Sequence, residues 1–362
     1  MRVALDATAL QHTTSTADFR ADAGGVGRYT VQLALALAGQ FPEDEYLLVS
    51  DQPFALPGAA ANLHAGDPPR NLLERRWWTY GLARQLQRRK IQLFHGCNFE
   101  VPFPSPIPSV VMLHDLSPWL DQPWVDAAWR RRTARVRKRV PWLLKAGAVR
   151  HVITPSEAIR TEVIRFFHFP AGRVTAIPHA AAPQFRPSGQ PSARPYFLFA
   201  GMLEPRKNVQ QLLEAWRTVR AAHDLDLVIA GPQRDEAAVA DSLPGVVWKG
   251  AVSDQEMAEL YSHALALVYP SCYEGFGLPV IEAMQCGAPV VVSHDPALRE
   301  TAGDAALLAG SAPELAAAML AIADNPELRA RLKAQSLARA ALFSWERTAR
   351  RTRAVYEKVL ER

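Results

Sequence analysis

The sequence predicts an α/β protein with two doubly wound domains, each a parallel sheet covered by helices. Short apolar segments alternate with longer helical stretches along most of the chain. The 362 residues exceed what one core usually organises. A proline-rich stretch without periodicity also separates two halves of similar size. Together these observations predict two α/β domains joined by a linker.

The first half predicts alternating strands and helices that form one parallel sheet. Its strands are expected at residues 2–6, 45–49, 93–95, 109–113 and 152–154, and its helices at 27–39, 72–89, 126–144 and 156–167. Ser156 is expected to cap the last of these helices. The first domain therefore covers residues 1–178, and the prolines between 178 and 195 indicate a linker at 179–195.

The second half, residues 196–344, repeats the alternation and predicts a second sheet. Its strands are expected at residues 196–200, 226–230, 246–249, 266–269 and 289–292, and its helices at 209–222, 254–262, 313–324 and 326–340. A further helix should start near Pro279 and end at Gly287, and an Arg-rich helix spans 345–360. Ligands of such sheets bind beyond the carboxyl ends of the strands, so polar residues at these positions are candidates.

The composition is that of a globular protein in a reducing compartment. Hydrophobic residues make up 49% of the chain and charged residues 21%, and no apolar run approaches the ~20 residues that span a bilayer. Asp6 interrupts the apolar start, which predicts a strand rather than a signal peptide. The three cysteines match no disulfide or metal spacing. We therefore expect a cytoplasmic protein.

Two cations follow the first strand of the second half. Arg206 and Lys207 lie just before a helix, where acidic residues are normally favoured. Arginine offers a planar fork and lysine a point charge, a pairing suited to a diphosphate. A solvated basic turn is the alternative explanation. The first interpretation predicts that a bound anion supplies the missing negative charge.

The loop and helix after the strand at 266–269 form the second candidate. Glu282 is the only formally charged residue between Gly275 and His294, and burying it without a partner is costly. It could accept bonds from ribose hydroxyls, whereas Glu274 in the loop could face a sugar. The backbone amides at the helix start can hold a phosphate; they belong to Gly275, Phe276, Gly277 and Leu278. A plain glycine-containing connector is the alternative.

The first half contributes two weaker candidates. Gly25 belongs to a glycine-rich loop that could close over a phosphate or simply start a helix. His114 follows a strand, with Asp115 placed to orient it, although a lone histidine is often structural. Asp224 and Asp226 have the spacing of some metal-binding carboxylates, but they precede a strand at the end away from the expected cleft. We predict no metal site.

These motifs resemble the retaining family-4 glycosyltransferases with the GT-B fold, over nearly the whole chain. The resemblance rests on Gly201 with Glu204-Pro205-Arg206-Lys207-Asn208, and on two glutamates separated by seven residues, Glu274 and Glu282. The first motif is similar to that of bacterial polysaccharide and O-antigen transferases, often mannosyltransferases. The resemblance implies two Rossmann-like domains facing a central cleft, with helix 345–362 crossing back to the first domain.

The resemblance also implies a role for each candidate residue. Arg206 and Lys207 would neutralise the donor diphosphate, and Glu282 would bind the ribose. Glu274 would contact the transferred sugar, His114 would lie beside it, and Gly25 would approach the β-phosphate. Two departures stand out: His179-Ala180 replaces a frequent Asn-Gly near the linker, and Met202 replaces a frequent arginine.

The expected activity is metal-independent, retaining transfer of a hexose, with mannose as one option, to a glycan or lipid-linked acceptor. The donor substrate would be a nucleotide-diphosphate sugar, GDP- or UDP-linked, and no cofactor is expected. A sugar-nucleotide epimerase of the same fold and a non-catalytic nucleotide-sugar-binding protein are the alternatives. In the mechanism, fixed cations would stabilise the departing diphosphate.

The arginine-rich stretches of the first half raise the question of a charged partner. Residues 129–139 carry seven cations, and residues 74–90 combine cations with aromatic residues. Such helices can lie on anionic membranes, so peripheral contact with the inner face of the membrane is one interpretation. A solvated basic helix is the other. No nucleic-acid-binding module accompanies the charge, so we expect no nucleic-acid partner.

Overall fold

The computed structural model describes residues 1–10, 24–56, 58, 60–189, 194–232 and 243–361. The chain divides into two compact units. Unit 1 comprises residues 1–179 and 345–362, and unit 2 comprises residues 180–344. No helix among the described residues is long and apolar enough to cross a membrane.

The described part of unit 1 contains a seven-stranded parallel sheet. Its strands are β1 (Arg2–Asp6), β2 (Glu45–Val49), β3 (Leu63–Ala65), β4 (Leu93–Gly96), β5 (Ser109–Met112), β6 (His151–Thr154) and β7 (Val174–Ala176). They lie in the order β3-β2-β1-β4-β5-β6-β7. The order reverses between β1 and β4, which is the topological switch point of a doubly wound sheet.

Five α-helices accompany this sheet within the described residues. They are α1 (Gly24–Gln40), α2 (Leu82–Arg88), α3 (Ala127–Lys145), α4 (Glu157–Phe167) and, at the end of the chain, α11 (Trp345–Leu360). Ser156 caps α4 by accepting a bond from the Ile159 amide, which confirms its expected role. The helix expected at 72–89 is shorter, because a π-helical turn over Trp77–Gly81 precedes α2.

The described part of unit 2 repeats the pattern with a six-stranded parallel sheet. Its strands are β8 (Tyr196–Ala200), β9 (Asp226–Ala230), β10 (Val246–Gly250), β11 (Leu267–Tyr269), β12 (Val290–Val292) and β13 (Ala306–Leu308). The order β10-β9-β8-β11-β12-β13 places a switch point between β8 and β11. Two doubly wound α/β units confirm the predicted fold class.

The helices of unit 2 cover an apolar core. They are α5 (Val209–Ala222), α6 (Asp254–His263), α7 (Leu278–Gln285), α8 (Pro296–Ala302), α9 (Ala312–Asp324) and α10 (Pro326–Ala340). Trp216, Phe197 and Tyr269 are among the fully buried side chains of this core. The apolar runs of β8, β11 and β12 are buried along their whole length, as parallel sheets require.

The last helix, α11, packs within unit 1 against α1. Its buried face includes Thr352 and Tyr356. The Tyr356 hydroxyl bonds to His95 Nδ1 at 2.6 Å, and the Arg353 guanidinium donates to the buried Asp44 at 2.7 Å. These contacts attach the end of the chain to the sheet that starts at its beginning.

Candidate functional site

Two loops leave the switch point of unit 2 and carry most of the predicted site. One follows β8 and leads through Arg206 and Lys207 into α5. The other follows β11 and leads through Glu274 into α7. Because β8 and β11 are neighbours in the sheet, both loops emerge at the same carboxyl edge. This is where doubly wound sheets bind ligands.

The loop after β8 approaches its neighbour closely. A Cβ on Gly231, which follows β9, would lie 2.0 Å from the Gly201 carbonyl oxygen, so this approach requires glycine. Pro205–Lys207 then form a 3-10 turn, and Asn208 has a φ of 55° before α5 begins. Lys207 is buried and the Arg206 side chain is 12% exposed. The local backbone thus directs both cations away from bulk solvent.

Glu274 binds both of these cations. Its Oε1 lies 2.5 Å from Lys207 Nζ, and its Oε2 lies 3.2 Å from Arg206 Nη1. The hydroxyls of Ser271 and Tyr269 also donate to Oε1, at 2.6 and 3.1 Å. Charge-assisted bonds of this kind are stronger than neutral ones, so the carboxylate is held firmly.

The expectation that a bound anion supplies the missing charge stays a prediction. Arg206 contacts Glu204 at 2.5 Å in addition to Glu274, and Lys207 contacts Glu274. The chain's own carboxylates therefore neutralise the two cations in this structure. The two cations therefore do not form the solvated basic turn that was the alternative explanation.

The ionisation of this cluster follows from its burial and its charges. Burial opposes ionisation of Glu274, but Lys207 and Arg206 together lower the pKa of its carboxyl to about 2. Burial lowers the pKa of the Lys207 ammonium, and the Glu274 charge acts against that shift. Glu274 is thus a carboxylate at neutral pH, held by two cations.

The loop after β11 is shaped by a glycine and a capping aspartate. Gly277 has a φ of 91°, and a Cβ there would lie 2.5 Å from Leu298 Cδ2. Asp295 accepts a bond from the Glu274 amide at 3.3 Å and from the Leu298 amide at 2.9 Å, where it caps α8. Burial raises the pKa of Asp295 to about 7.

The predicted phosphate-binding amides lie at the start of α7. Gly275, Phe276 and Gly277 are buried, whereas Leu278 is half-buried. Thr301 donates to the Phe276 carbonyl at 2.6 Å and so fixes the loop against α8. Pro279 lies in the first turn of α7, as expected from the sequence. Within this turn the Val280 amide donates to the Gly277 carbonyl at 3.0 Å.

Glu282 is buried on the second turn of α7, with 4% of its surface exposed. The Tyr261 hydroxyl, on α6, lies 3.4 Å from Glu282 Oε2. Burial raises the pKa of the Cys286 thiol, one turn further along the chain, and the Glu282 charge adds to this shift. The isolation seen in the sequence is therefore partly relieved by a tyrosine distant in the chain. Its role toward a ribose stays a prediction.

Gly25 and His114 belong to unit 1. Gly25 is exposed and is the second residue of α1, so the loop expected there is helical from Gly24 onward. The remainder of that glycine-rich stretch, up to residue 23, lies outside the described residues. His114 is partly buried, two residues beyond β5, and its Nε2 lies 2.8 Å from the Cys97 carbonyl oxygen.

Asp115 does not orient His114 as expected. The carboxylate instead accepts from the amide and the hydroxyl of Ser117, at 2.8 and 2.5 Å. The His114 ring packs edge-on against Tyr29, and His179 lies 5.8 Å away, centroid to centroid. Burial lowers the pKa of His114, so its ring is neutral at physiological pH.

The paired aspartates before β9 bind arginines. Arg194 contacts Asp224 and also Asp226, the latter at 2.8 Å, and Arg220 contacts Asp224 at 2.6 Å. These ion pairs give the two carboxylates a structural role at the strand's amino end.

The structure brings Arg206, Lys207 and Glu274 into direct contact within unit 2. His114 and Gly25 lie in unit 1, and Glu282 lies on α7 with the Tyr261 hydroxyl of α6 near its Oε2. Sequence reasoning missed the partners of the cluster, which are Glu204, Tyr269, Ser271 and Asp295, and the contact of Tyr261 with Glu282. Tyr269 and Ser271 flank Pro270 at the strand end, the one signal that could have identified them.

Comparisons with known proteins identify the family of the chain. A family model described as "Glycosyltransferase Family 4" matches residues 23–185, and one described as "Glycosyl transferases group 1" matches residues 182–339. O-antigen chain mannosyltransferase B of Escherichia coli is 30% identical over 297 residues, covering 76% of each chain.

Solved structures show the same fold. Sucrose-phosphate synthase from Thermosynechococcus elongatus superposes with a TM-score of 0.73 at 20% identity, covering 100% of this chain and 99% of that one. HepE from Anabaena, solved with UDP-glucose, gives a TM-score of 0.67 at 15% identity, covering 99% of this chain and 100% of that one. The chain therefore belongs to the family-4 glycosyltransferases and has their GT-B fold of two Rossmann-like units.

Proposed function

We propose that this glycosyltransferase moves a hexose, with mannose as the first candidate, from a nucleotide-diphosphate sugar to a glycan or lipid-linked acceptor, with retention of configuration and without a metal. The observation that carries the proposal is the buried pair Arg206 and Lys207 at the switch point of unit 2. The mannosyltransferase activity of the Escherichia coli relative supports the choice of sugar.

Stabilisation of the leaving group is the main chemical task. Breaking the anomeric C–O bond builds positive charge on the sugar and negative charge on the departing diphosphate. Arg206 and Lys207 would neutralise the diphosphate, aided by the amides at the start of α7. Their burial supports this role, because a low dielectric strengthens each interaction.

The remaining groups would bind the rest of the donor. Glu282 would accept bonds from the ribose hydroxyls, because a carboxylate has two oxygens and can accept several hydrogen bonds at once. Retention would follow from attack on the same face of the sugar, with the leaving phosphate taking the acceptor's proton. Glu274 binds two cations, which favours a role in binding over one as a covalent nucleophile.

A ligand screen followed by a transfer assay tests this proposal. GDP, UDP, ADP and dTDP are compared by thermal shift, since a ligand of the folded state raises stability by mass action. The matching mannose and glucose donors are then assayed with acceptor, and the anomeric configuration of the product is determined by NMR. A released epimer without transfer would indicate an epimerase, and binding without turnover a non-catalytic protein.

Metal independence is tested in the same assay. Transfer is expected to continue at an unchanged rate in excess EDTA, and Asp224→Asn is expected to match the wild type. A rate that falls with EDTA and recovers with Mg²⁺ or Mn²⁺ would contradict this part of the proposal.

We also propose that unit 1 contacts an anionic membrane through α3 and neighbouring side chains. Trp142 on α3, Leu72, Leu73 and Phe166 are exposed, by 44, 81, 49 and 49%. The charged residues of α3 include Arg131, Arg137 and Lys138. Exposed apolar groups beside cations are typical of interfacial binding.

Vesicle co-sedimentation at low salt tests the membrane contact. The protein is expected to bind vesicles containing anionic lipid and not neutral ones. Trp142→Ala combined with Arg131→Ala should weaken binding, whereas Arg329→Ala, on α10 of unit 2, serves as the matched control. Absence of binding to anionic vesicles would contradict the contact.

A further inference from the structure

The carboxylate of Glu274 contacts Lys207 and Arg206, the two cations that the proposed function assigns to the donor diphosphate. Its Oε1 accepts from Lys207 and its Oε2 lies 3.2 Å from Arg206 Nη1. Both cations are nearly buried, with side chains 9 and 12% exposed. A diphosphate that binds the same nitrogen atoms of Lys207 and Arg206 needs the bonds that Glu274 accepts in this structure.

Coexistence of the two anions is unfavourable at this position. Lys207 Nζ already donates to Tyr269 and to Glu274, two of the three donors that an ammonium offers. The pKa of Glu274 is about 2, so protonation does not remove its charge at neutral pH. Like charges a few ångströms apart repel strongly where solvent is excluded.

Two neighbours define how Glu274 and Lys207 can separate. Ser271 donates to Glu274 Oε1 at 2.6 Å and does not contact Lys207, so it holds the carboxylate in place. The Tyr269 hydroxyl bonds to Lys207, and the ammonium lies 4.9 Å from the centre of the Tyr269 ring. Tyr269 therefore still holds Lys207 when Glu274 leaves.

We propose that Glu274 is an internal counter-ion, and that the donor diphosphate displaces it from Lys207 and Arg206. This inference rests on the proposed function, since it assumes that the two cations receive a diphosphate. Donor binding and movement of Glu274 are then one event. The carboxylate keeps the cations charged and in place until the donor arrives, and it becomes free for the sugar only afterwards.

Calorimetric titration with UDP and GDP tests the displacement. Glu274→Gln removes the competing charge and keeps the side-chain shape, so the nucleotide Kd should fall about tenfold, which corresponds to ~1.4 kcal/mol. Transfer should fall at the same time. An increase in affinity accompanied by a loss of activity is not expected from a residue that only stabilises the fold.

Ser271→Ala is the second variant, because it loosens Glu274 without changing any charge. Displacement predicts a Kd lower by about threefold, near the low end of what one hydrogen bond contributes. If Glu274→Gln binds tighter but Ser271→Ala is unchanged, Glu274 repels the nucleotide without being displaced, and the proposal is overturned. Ser271→Ala also keeps the test valid if the glutamine variant misfolds.

The titration separates this inference from the proposed function. If the wild type binds neither UDP nor GDP, the assignment of the donor site is at fault. If the wild type binds one of them and Glu274→Gln binds it equally or more weakly, the donor site stands and the counter-ion is wrong.

Discussion

The two sheets share one strand order, yet their switch points carry different side chains. In unit 2 the loops after β8 and β11 hold an ion cluster of Arg206, Lys207 and Glu274. In unit 1 the corresponding point holds His95, within β4, and His114, beyond β5, and burial lowers the pKa of both imidazole rings. The same architecture thus carries an ion cluster at one switch point and neutral imidazole rings at the other, because the side chains at the strand ends differ.

Loss of Lys207 tests the ionic switch point most severely. Lys207→Ala should lower kcat/KM by about a thousandfold, since one electrostatic donor aimed at developing charge is worth this much. Steady-state kinetics at saturating acceptor measures the effect. Lys249→Ala removes an exposed lysine of the same unit and serves as control. Near-wild-type rates in Lys207→Ala would place the site elsewhere.

Substitution of Glu282 distinguishes a role in ribose binding from a role in packing. Glu282→Gln should weaken nucleotide binding by about thirtyfold, because a charged acceptor for two ribose hydroxyls is lost. Tyr261→Phe removes the hydroxyl that lies near Glu282 Oε2 and should leave the nucleotide Kd nearly unchanged. If both variants lose thermal stability equally and neither changes the Kd, Glu282 has only a packing role.

His114 tests the neutral switch point. His114→Ala should reduce transfer by about tenfold, the smaller effect expected of a neutral group beside the sugar. Nucleotide affinity should stay within about twofold, since the cations lie in unit 2. His151 begins β6 at the opposite end of the strands and is buried, so His151→Gln is the matched control. Equal losses in both variants would indicate a general effect on unit 1.

The smallest expected effect is a pH dependence of stability in unit 1. Burial lowers the pKa of His95 to about 3, so the folded state binds fewer protons than the unfolded state between that value and about 6.5. The contribution of His95 to stability should therefore decline as the pH falls below about 6.5, by at most ~1.4 kcal/mol per pH unit.

Calorimetry at pH 7.5, 6 and 5 measures this dependence. His95→Gln cannot gain the proton, so its transition should be less stable at pH 7.5 and flatter with pH. An equally steep decline in the variant would assign the dependence to other groups.

The sequence predicted the strands that are continuous apolar runs and missed the short strands that are not. Strands such as β8 and β12 are continuous apolar runs, so their own sequences already predict buried strands. The strands β3, β7 and β13 have three residues each and gain their pairing from neighbours rather than from their own pattern. The π-helical turn before α2 was equally invisible, because it depends on Gly81 approaching the Glu74 carbonyl.

The candidate site divides in the same way. Arg206, Lys207 and Glu274 could be proposed from their positions after strands, but their mutual ion pairs could not. Lys207 and Glu274 are 67 residues apart, and their contact depends on the pairing of β8 with β11. Tyr261 lies on α6 and Asp295 caps α8, so no local sequence pattern predicts their contacts with the motif.

Because α11 belongs to unit 1, unit 2 is an insertion within unit 1. The chain leaves unit 1 after His179 and re-enters it at Trp345, and these two rings stack with centroids 5.9 Å apart. On the ribosome, unit 2 is complete before the last helix of unit 1 exists. Unit 1 therefore begins first in synthesis and is completed last. Its contacts of Tyr356 with His95 and of Arg353 with Asp44 form only after the last helix has been synthesised.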